Sequence, residues 1–250
     1  MKRTIFYILL LMSFSSCEKN FLDGLTSTGE IITEFREIDT FKRIIIKDDI
    51  SLIMRQDTAY KLIVEGGRNI IENYLTEFNA HDSSLTISNS NTMNWLRDFH
   101  SERNVYLSIP YTQDSLFIDY YSSGGIYSEH KICLDTTLHI NVWQGSGEVN
   151  MDLKIKGSGH FREQYGTTNW NLTGKCGNVT AYLHGYGLMS MEKLEVGNFY
   201  FTHGGTNNIL IAPSNSLIGK ISGIGKVKCY SRPEIVVCKP VNSPNLVFMN

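Results

Sequence analysis

Three groups of residues have the types and spacing to do chemistry: a glycine-rich corner, two nearby carboxylates and two periodic histidines. The corner is "WQGSGEVNM" (Trp143 to Met151), where Gly145 and Gly147 form a Gly-x-Gly. A phosphate cradle needs a strand, a tight turn and a helix N-terminus in that order. After Gly147 the chain runs "EVNMDLKIKG", which alternates apolar and polar residues as a strand does, and no Walker pattern occurs. The corner is therefore read as a turn between strands, not a nucleotide loop.

Glycoside hydrolysis needs two carboxylates about 5 to 9.5 Å apart across the scissile bond. Glu148 and Glu163, the acids found in the columns beside the corner glycines, lie in different columns on opposite sides of the corner. His184 and His203 each stand immediately before a glycine, so stacked coils would bring them within about 5 Å. Their column neighbours, Tyr165 and Ser222, are weak ligands, so the expectation is a polar and aromatic ladder rather than a metal site. Cys133, Cys176, Cys229 and Cys238 have neither CxxC nor zinc-like spacing, and four cysteines allow three full pairings among which nothing chooses. No catalytic residue, metal or cofactor is predicted.

What remains outward-facing is aromatic and amide-rich: Tyr120, Tyr121, Tyr182, Tyr200, Asn169, Asn207 and Asn208. Rings stack on apolar ligand faces while amides fix orientation, which suits sugar or protein surfaces. Tyr121, Tyr182, Tyr200, His184 and His203 are the ligand-contact candidates.

These residues must be positioned by a chain of 250 residues, with 23 basic and 25 acidic side chains. No basic block stands out, which argues against a nucleic-acid partner. Thirteen Tyr, twelve Phe and 21 Gly beside five Pro favour many short strands. "MKRTIFYILLLMSFSSC" has Lys2 and Arg3, an apolar run from Ile5 to Met12 and small residues ending at Cys17. The run is too short to span a bilayer and reads as a secretory signal. "FSSC" resembles a bacterial lipobox, which makes Cys17 the lipidation site and implies a membrane partner through a lipid anchor. Residues 18–34 are polar and glycine-containing, as a flexible tether would be. Residues 35–250 are expected to form one domain.

"FKRIIIKDDISLIMRQ" and "YKLIVEGG" are β-branched runs bounded by charged or glycine turns, hence strands. "NIIENYLTEF" (Asn69 to Phe78) carries Ile70, Ile71, Tyr74 and Leu75 at helical spacing and is expected to be a short helix. Asn89 to Arg103 is read as a long loop. From residue 111 to 233 the chain repeats. Gly124, Gly145, Gly166, Gly185, Gly204 and Gly223 recur at intervals of 21, 21, 19, 19 and 19. Four and six residues after them lie mostly apolar columns, Ser128, Val149, Trp170, Met189, Asn208, Val227 and His130, Met151, Leu172, Met191, Leu210, Cys229. The column between is mostly polar, which is strand periodicity with one face on a core. Gly157, Gly174, Gly177 and Gly197 add a second turn per coil. A period near 20 residues is a solenoid signature. The fold class is all-β, a single-stranded right-handed β-helix-like solenoid of about six coils with a strand-rich N-terminal portion.

The opening "FREIDTFKRIIIKDDISLIMRQDTAYKLIVEG" with iterated "GSGEVNM", "GSGHF" and "SGIGKVKCYSRP" resembles the head GIN domain family of auto-transporter adhesins, over roughly Phe35 to Pro233. Some corners depart from its Ser-Gly-x-Gly form, reading Gly-Tyr-Gly, Gly-Gly-Thr or Gly-Thr-Thr. The resemblance implies a β-helix-like fold, a Bacteroidetes-type lipoprotein in the cell envelope, and no established catalytic residues. The function expected is a non-catalytic, outer-membrane adhesin-like module that binds a glycan or protein partner. The alternatives are a carbohydrate-active enzyme, a polysaccharide lyase or hydrolase on a β-helix, and a structural component of an envelope assembly.

Overall fold

A computed structural model describes residues 27–91 and 103–249. The N-terminal strands are β1 (Ile31–Arg36), β2 (Arg43–Asp48), β3 (Ser51–Asp57), β4 (Lys61–Gly67), β5 (Tyr74–Asn79), β6 (Ser84–Asn89) and β7 (Arg103–Pro110). Beyond them lie the short strands β8 (Ser115–Ser122), β9 (Ile126–Ser128), β10 (Ile132–Leu134) and β11 (Thr137–Val142). Then come the long β12 (Glu148–Glu163), β13 (Asn169–Leu183), β14 (Met189–His203) and β15 (Ile209–Ile221). The chain closes with β16 (Val227–Cys229), β17 (Ile235–Lys239) and β18 (Leu246–Phe248). The fold is an all-β solenoid of about six turns.

Each long strand serves successive sides of the coil: β9, β10 and β11 pair in turn with the start, the middle and the end of β12. The first side stacks β9, the early halves of β12 to β15, β16 and β18; the second stacks β2, β8, β11, the late halves of β12 to β15, and β17. All these pairings are parallel, with neighbouring coils about 4.8 Å apart. At the N-terminal end β1, β4 and β7 pair antiparallel and join the first side through β3, while β5 and β6 join the second side through β2. Because β1 begins at Ile31, the last residues of the expected tether are part of this sheet.

The core is a set of inward ladders. On the first side Leu52, Ile126, Val149, Trp170, Met189, Ile209, Val227 and Leu246 stack in register. On the second side Ile140, Phe161, Ala181, Phe201 and Gly219 stack, so the small Ala181 and Gly219 stand beside the large Phe161 and Phe201. Nearly all of these residues are fully buried.

A fixed offset from the corner glycines finds the middle rungs of the core but not all of them. Ile126, rather than Ser128, pairs with Val149, and His130 is exposed. Ile209 and Ile211 face inward in place of the expected Asn208 and Leu210. Corner lengths differ by a residue or two, and a one-residue slip moves every side chain to the other face. The helix expected over Asn69 to Phe78 is a single 3-10 turn, Ile71–Asn73, running into β5. Phe78, Thr76 and Tyr74 pair with Leu85, Ile87 and Asn89 of β6, and this tertiary pairing overrides the helical spacing. The loop expected between Asn89 and Arg103 falls largely outside the described residues.

The corner glycines hold the coils at this separation. A Cβ on Gly147 would sit 1.3 Å from the carbonyl oxygen of Gly124, directly on the coil beneath. No side chain fits without moving backbone, so the second glycine of "GSG" is required by close approach. Gly147→Ala is therefore expected to cost about 2–3 kcal/mol, the upper range for a point change. Denaturant unfolding checks this, and a loss under about 0.5 kcal/mol would contradict it.

Candidate functional site

Outward positions on the second side form lanes that run from coil to coil. The first lane reads Arg43, Phe117, His139, His160, Thr180, Tyr200. The next reads Asp119, Asn141, Arg162, Tyr182, Thr202, Lys220, Lys239. At the corner beyond them stand Tyr121 and Trp143.

Parallel register brings like residues into stacking distance. The rings of Phe117 and His139 lie 4.3 Å apart at 17°, and those of His139 and His160 lie 4.2 Å apart at 12°. The Arg43 guanidinium covers the end of this stack, 5.8 Å from the Phe117 ring. Tyr121 and Trp143 stack at 6.5 Å. Arg162 lies between Trp143 and Tyr182, 5.6 and 5.5 Å from their rings. Arg43 also donates to Asp119, which accepts from Asn141 Nδ2 at 3.0 Å and from Trp143 Nε1 at 2.9 Å. That buried carboxylate fixes the indole, and the indole in turn fixes Arg162.

The imidazoles are neutral at pH 7. Partial burial, then the facing His160 and Arg43, hold His139 down to about 4, and burial lowers His160 as well. They act as flat stacking rings and not as cations.

Of the expected ligand contacts, Tyr121, Tyr182 and Tyr200 do share this face and remain 42 to 44% exposed. Tyr120, expected to face outward, is instead fully buried, and its hydroxyl donates to the Gly124 carbonyl. His184 and His203 do not share a column. His203 pairs with Leu183 and points into the core, while His184 stands exposed at the corner. Phe117, His139, Trp143, His160 and Arg162 are the members that the corner glycines do not reveal. His139 and His160 recur at the same 21-residue interval as Gly145 and Gly166, so the coil period applied to the late half of each coil would have found them.

The two acids considered for catalysis are not brought together. Glu148 is exposed on the first side, whereas Glu163 points inward on the second and is sealed beneath the corners. Gly166 and Gly185 leave the room its carboxyl occupies, and it accepts from the Thr168 amide at 3.1 Å. The four cysteines are free thiols. Among the described residues no three His, Cys, Asp or Glu side chains converge as a metal site. No helix among them is long and apolar enough to cross a membrane.

Fold and face together define a β-solenoid that presents a continuous lane of rings and polar groups along its axis. The family model "Putative auto-transporter adhesin, head GIN domain" matches residues 40–233, and the chain belongs to that family. Three solved structures share the fold. An adhesin-class protein from Bacteroides fragilis NCTC 9343 has TM-score 0.74 at 17% identity, over 84% of this chain and 92% of that one. One from Parabacteroides distasonis ATCC 8503 has TM-score 0.53 at 13% identity, over 88% and 96%, and is described as a lipid binding protein. A further adhesin-class protein from the same organism has TM-score 0.52 at 11% identity, over 84% and 95%. No curated protein matches.

Burial raises Glu163 from 4.5 to about 7. The folded state thus holds a proton that the unfolded chain releases. Its stabilisation is complete below about pH 4.5 and is lost as pH rises through 7, by about 3 kcal/mol in the limit. Glu163→Gln is expected to remove that loss, so the stability difference between variant and parent grows in the variant's favour from pH 5 to 8. Thermal unfolding across that range checks it; a difference independent of pH would contradict it.

Proposed function

We propose that this protein is a non-catalytic cell-envelope lipoprotein, an adhesin-like module that binds a glycan through the ring-lined second side. The observation that carries this reading is the outward lane from Phe117 to Tyr200, which holds a ring on every rung but Thr180 and is flanked by Tyr121, Trp143 and Tyr182. Exposed rings fixed by stacking and by hydrogen bonds to a buried acid offer large contact area with little ordering entropy left to lose. The coil spacing of about 4.8 Å is close to the advance of one hexose along an extended chain, so a polysaccharide lying along the axis meets one rung per sugar. The family description as an adhesin supports the binding role. The separation of Glu148 from the sealed Glu163 weighs against acid-pair hydrolysis at this corner.

Trp143→Ala and Tyr182→Ala are each expected to weaken glycan binding by tenfold or more while leaving the fold intact, since both rings are at least partly exposed. A glycan array and then titration of the hits is the test. No array binding, together with recovery of a partner protein from envelope extracts, would overturn the glycan reading.

Lipid attachment at Cys17 supplies the envelope location. With the wild-type chain in its native host, the protein is expected to label with fatty acid and remain in the membrane fraction after a carbonate wash. Cys17→Ser is expected to abolish both. Labelling of the Cys17→Ser variant would contradict the assignment.

A further inference from the structure

We infer that the ligand of this face is an anionic glycan, one whose sugars carry carboxylates. The inference rests on the binding role proposed above and adds the charge of the ligand. Between β8 and β17, the outward lanes of the second side contain one acid among the described residues, Asp119. Its oxygens are already committed to Arg43, Asn141 and Trp143, and its side chain is 7% exposed. The same lanes carry Arg162, Lys220 and Lys239 in one register column, with Arg43 and Lys47 at their N-terminal edge.

Elsewhere on the coils acids stand among the cations and several are paired, although Lys154, Lys193, Lys226 and Lys228 have no described ion pair either. Lys156 meets Asp135 at 2.8 Å, Lys175 meets Glu195 at 3.5 Å and Lys131 meets Asp152 at 3.6 Å. The described ion pairs include none for Arg162, Lys220 or Lys239. The chain as a whole carries a net charge of −2, so a basic lane is not a by-product of a basic protein. What distinguishes the face that holds the rings is that its cations stand without a free acid beside them.

The geometry suits carboxylates in particular. Arg162 is held between the Trp143 and Tyr182 rings, which orients its planar fork before any ligand arrives. Such a fork pairs with a carboxylate through two parallel hydrogen bonds. Lys220 lies three rungs from Arg162, about 14 Å along the axis, with Tyr182 and Thr202 between them. A chain running along the axis would thus meet a cation, a ring and a hydroxyl, then a second cation. The neutral His139 and His160 stack beside this lane without adding charge of their own.

The test uses the full chain and two polymers with one backbone: oligogalacturonate, and the same oligomer after its carboxyls are reduced to neutral galactose. Calorimetric titration is expected to give at least tenfold tighter binding of the acidic oligomer, the size of a charged hydrogen bond or two. Lys220→Gln with Lys239→Gln, both exposed and outside the ring stack, is expected to reduce that preference severalfold, with Arg162 supplying what remains, and to leave binding of the reduced oligomer unchanged. Equal binding of the two oligomers would overturn the inference while leaving the glycan-binding role standing. Failure of both to bind would overturn the role itself. Binding of a charge-matched DNA oligonucleotide as tightly as the oligogalacturonate would also overturn the inference, since the lane would then read charge alone.

Discussion

The whole structure depends on the close approach of one coil's backbone to the next at the corners. Where Gly147 lies over Gly124, no side chain can intervene, and the same holds for Gly187 over Thr168. That contact fixes the separation and the parallel register of successive coils. Once register is fixed, residues a coil apart in sequence become neighbours, and each position acquires a lane. Inward lanes become the core ladder from Leu52 to Leu246; outward lanes become surfaces with a repeated chemistry. The corner and the ring-lined face are therefore two consequences of a single constraint.

The same constraint explains why the face is rigid. Phe117, His139 and His160 need no individual scaffolding, because the hydrogen-bonded backbone places their rings face to face. The one local device is Asp119, which ties Arg43 of β2 to Asn141 and Trp143 at the end of β11, and so braces the lane across its width. It sits in a polar surround of its own donors. Glu163 lies sealed beneath the corners, where burial outweighs the Thr168 amide that donates to it and favours its protonated form.

Much of the fold is legible in the sequence because glycine spacing and period-two alternation both report coil geometry directly. The middle rungs Val149, Trp170 and Met189 are found this way. The first and fifth rungs are misplaced because corner length varies, and periodicity does not register a one-residue slip. Tyr74 and its neighbours look helical because strands β5 and β6 meet only through tertiary pairing. The ring-lined face is half legible. Tyr121, Tyr182 and Tyr200 are visible as exposed aromatics, but His203, expected to face outward, is turned by its register into the core. The cation lane is invisible, because Arg162, Lys220 and Lys239 become a column only after the corner lengths are known.

The central claim is that ligand lies on the second side, along the ring lane. The chain has three tryptophans, of which Trp143 stands on that lane and Trp170 is buried in the core of the first side. Nitrogen-15 NMR of the indole Nε1–H signals during titration with an acidic oligosaccharide reads them separately. The account predicts a saturable shift of the Trp143 signal, with the Arg162 Nε–H moving in parallel and Trp170 unmoved. Saturable binding that shifts backbone amides around Glu148 and Asn169 and leaves Trp143 and Arg162 in place would put the ligand on the first side and contradict it.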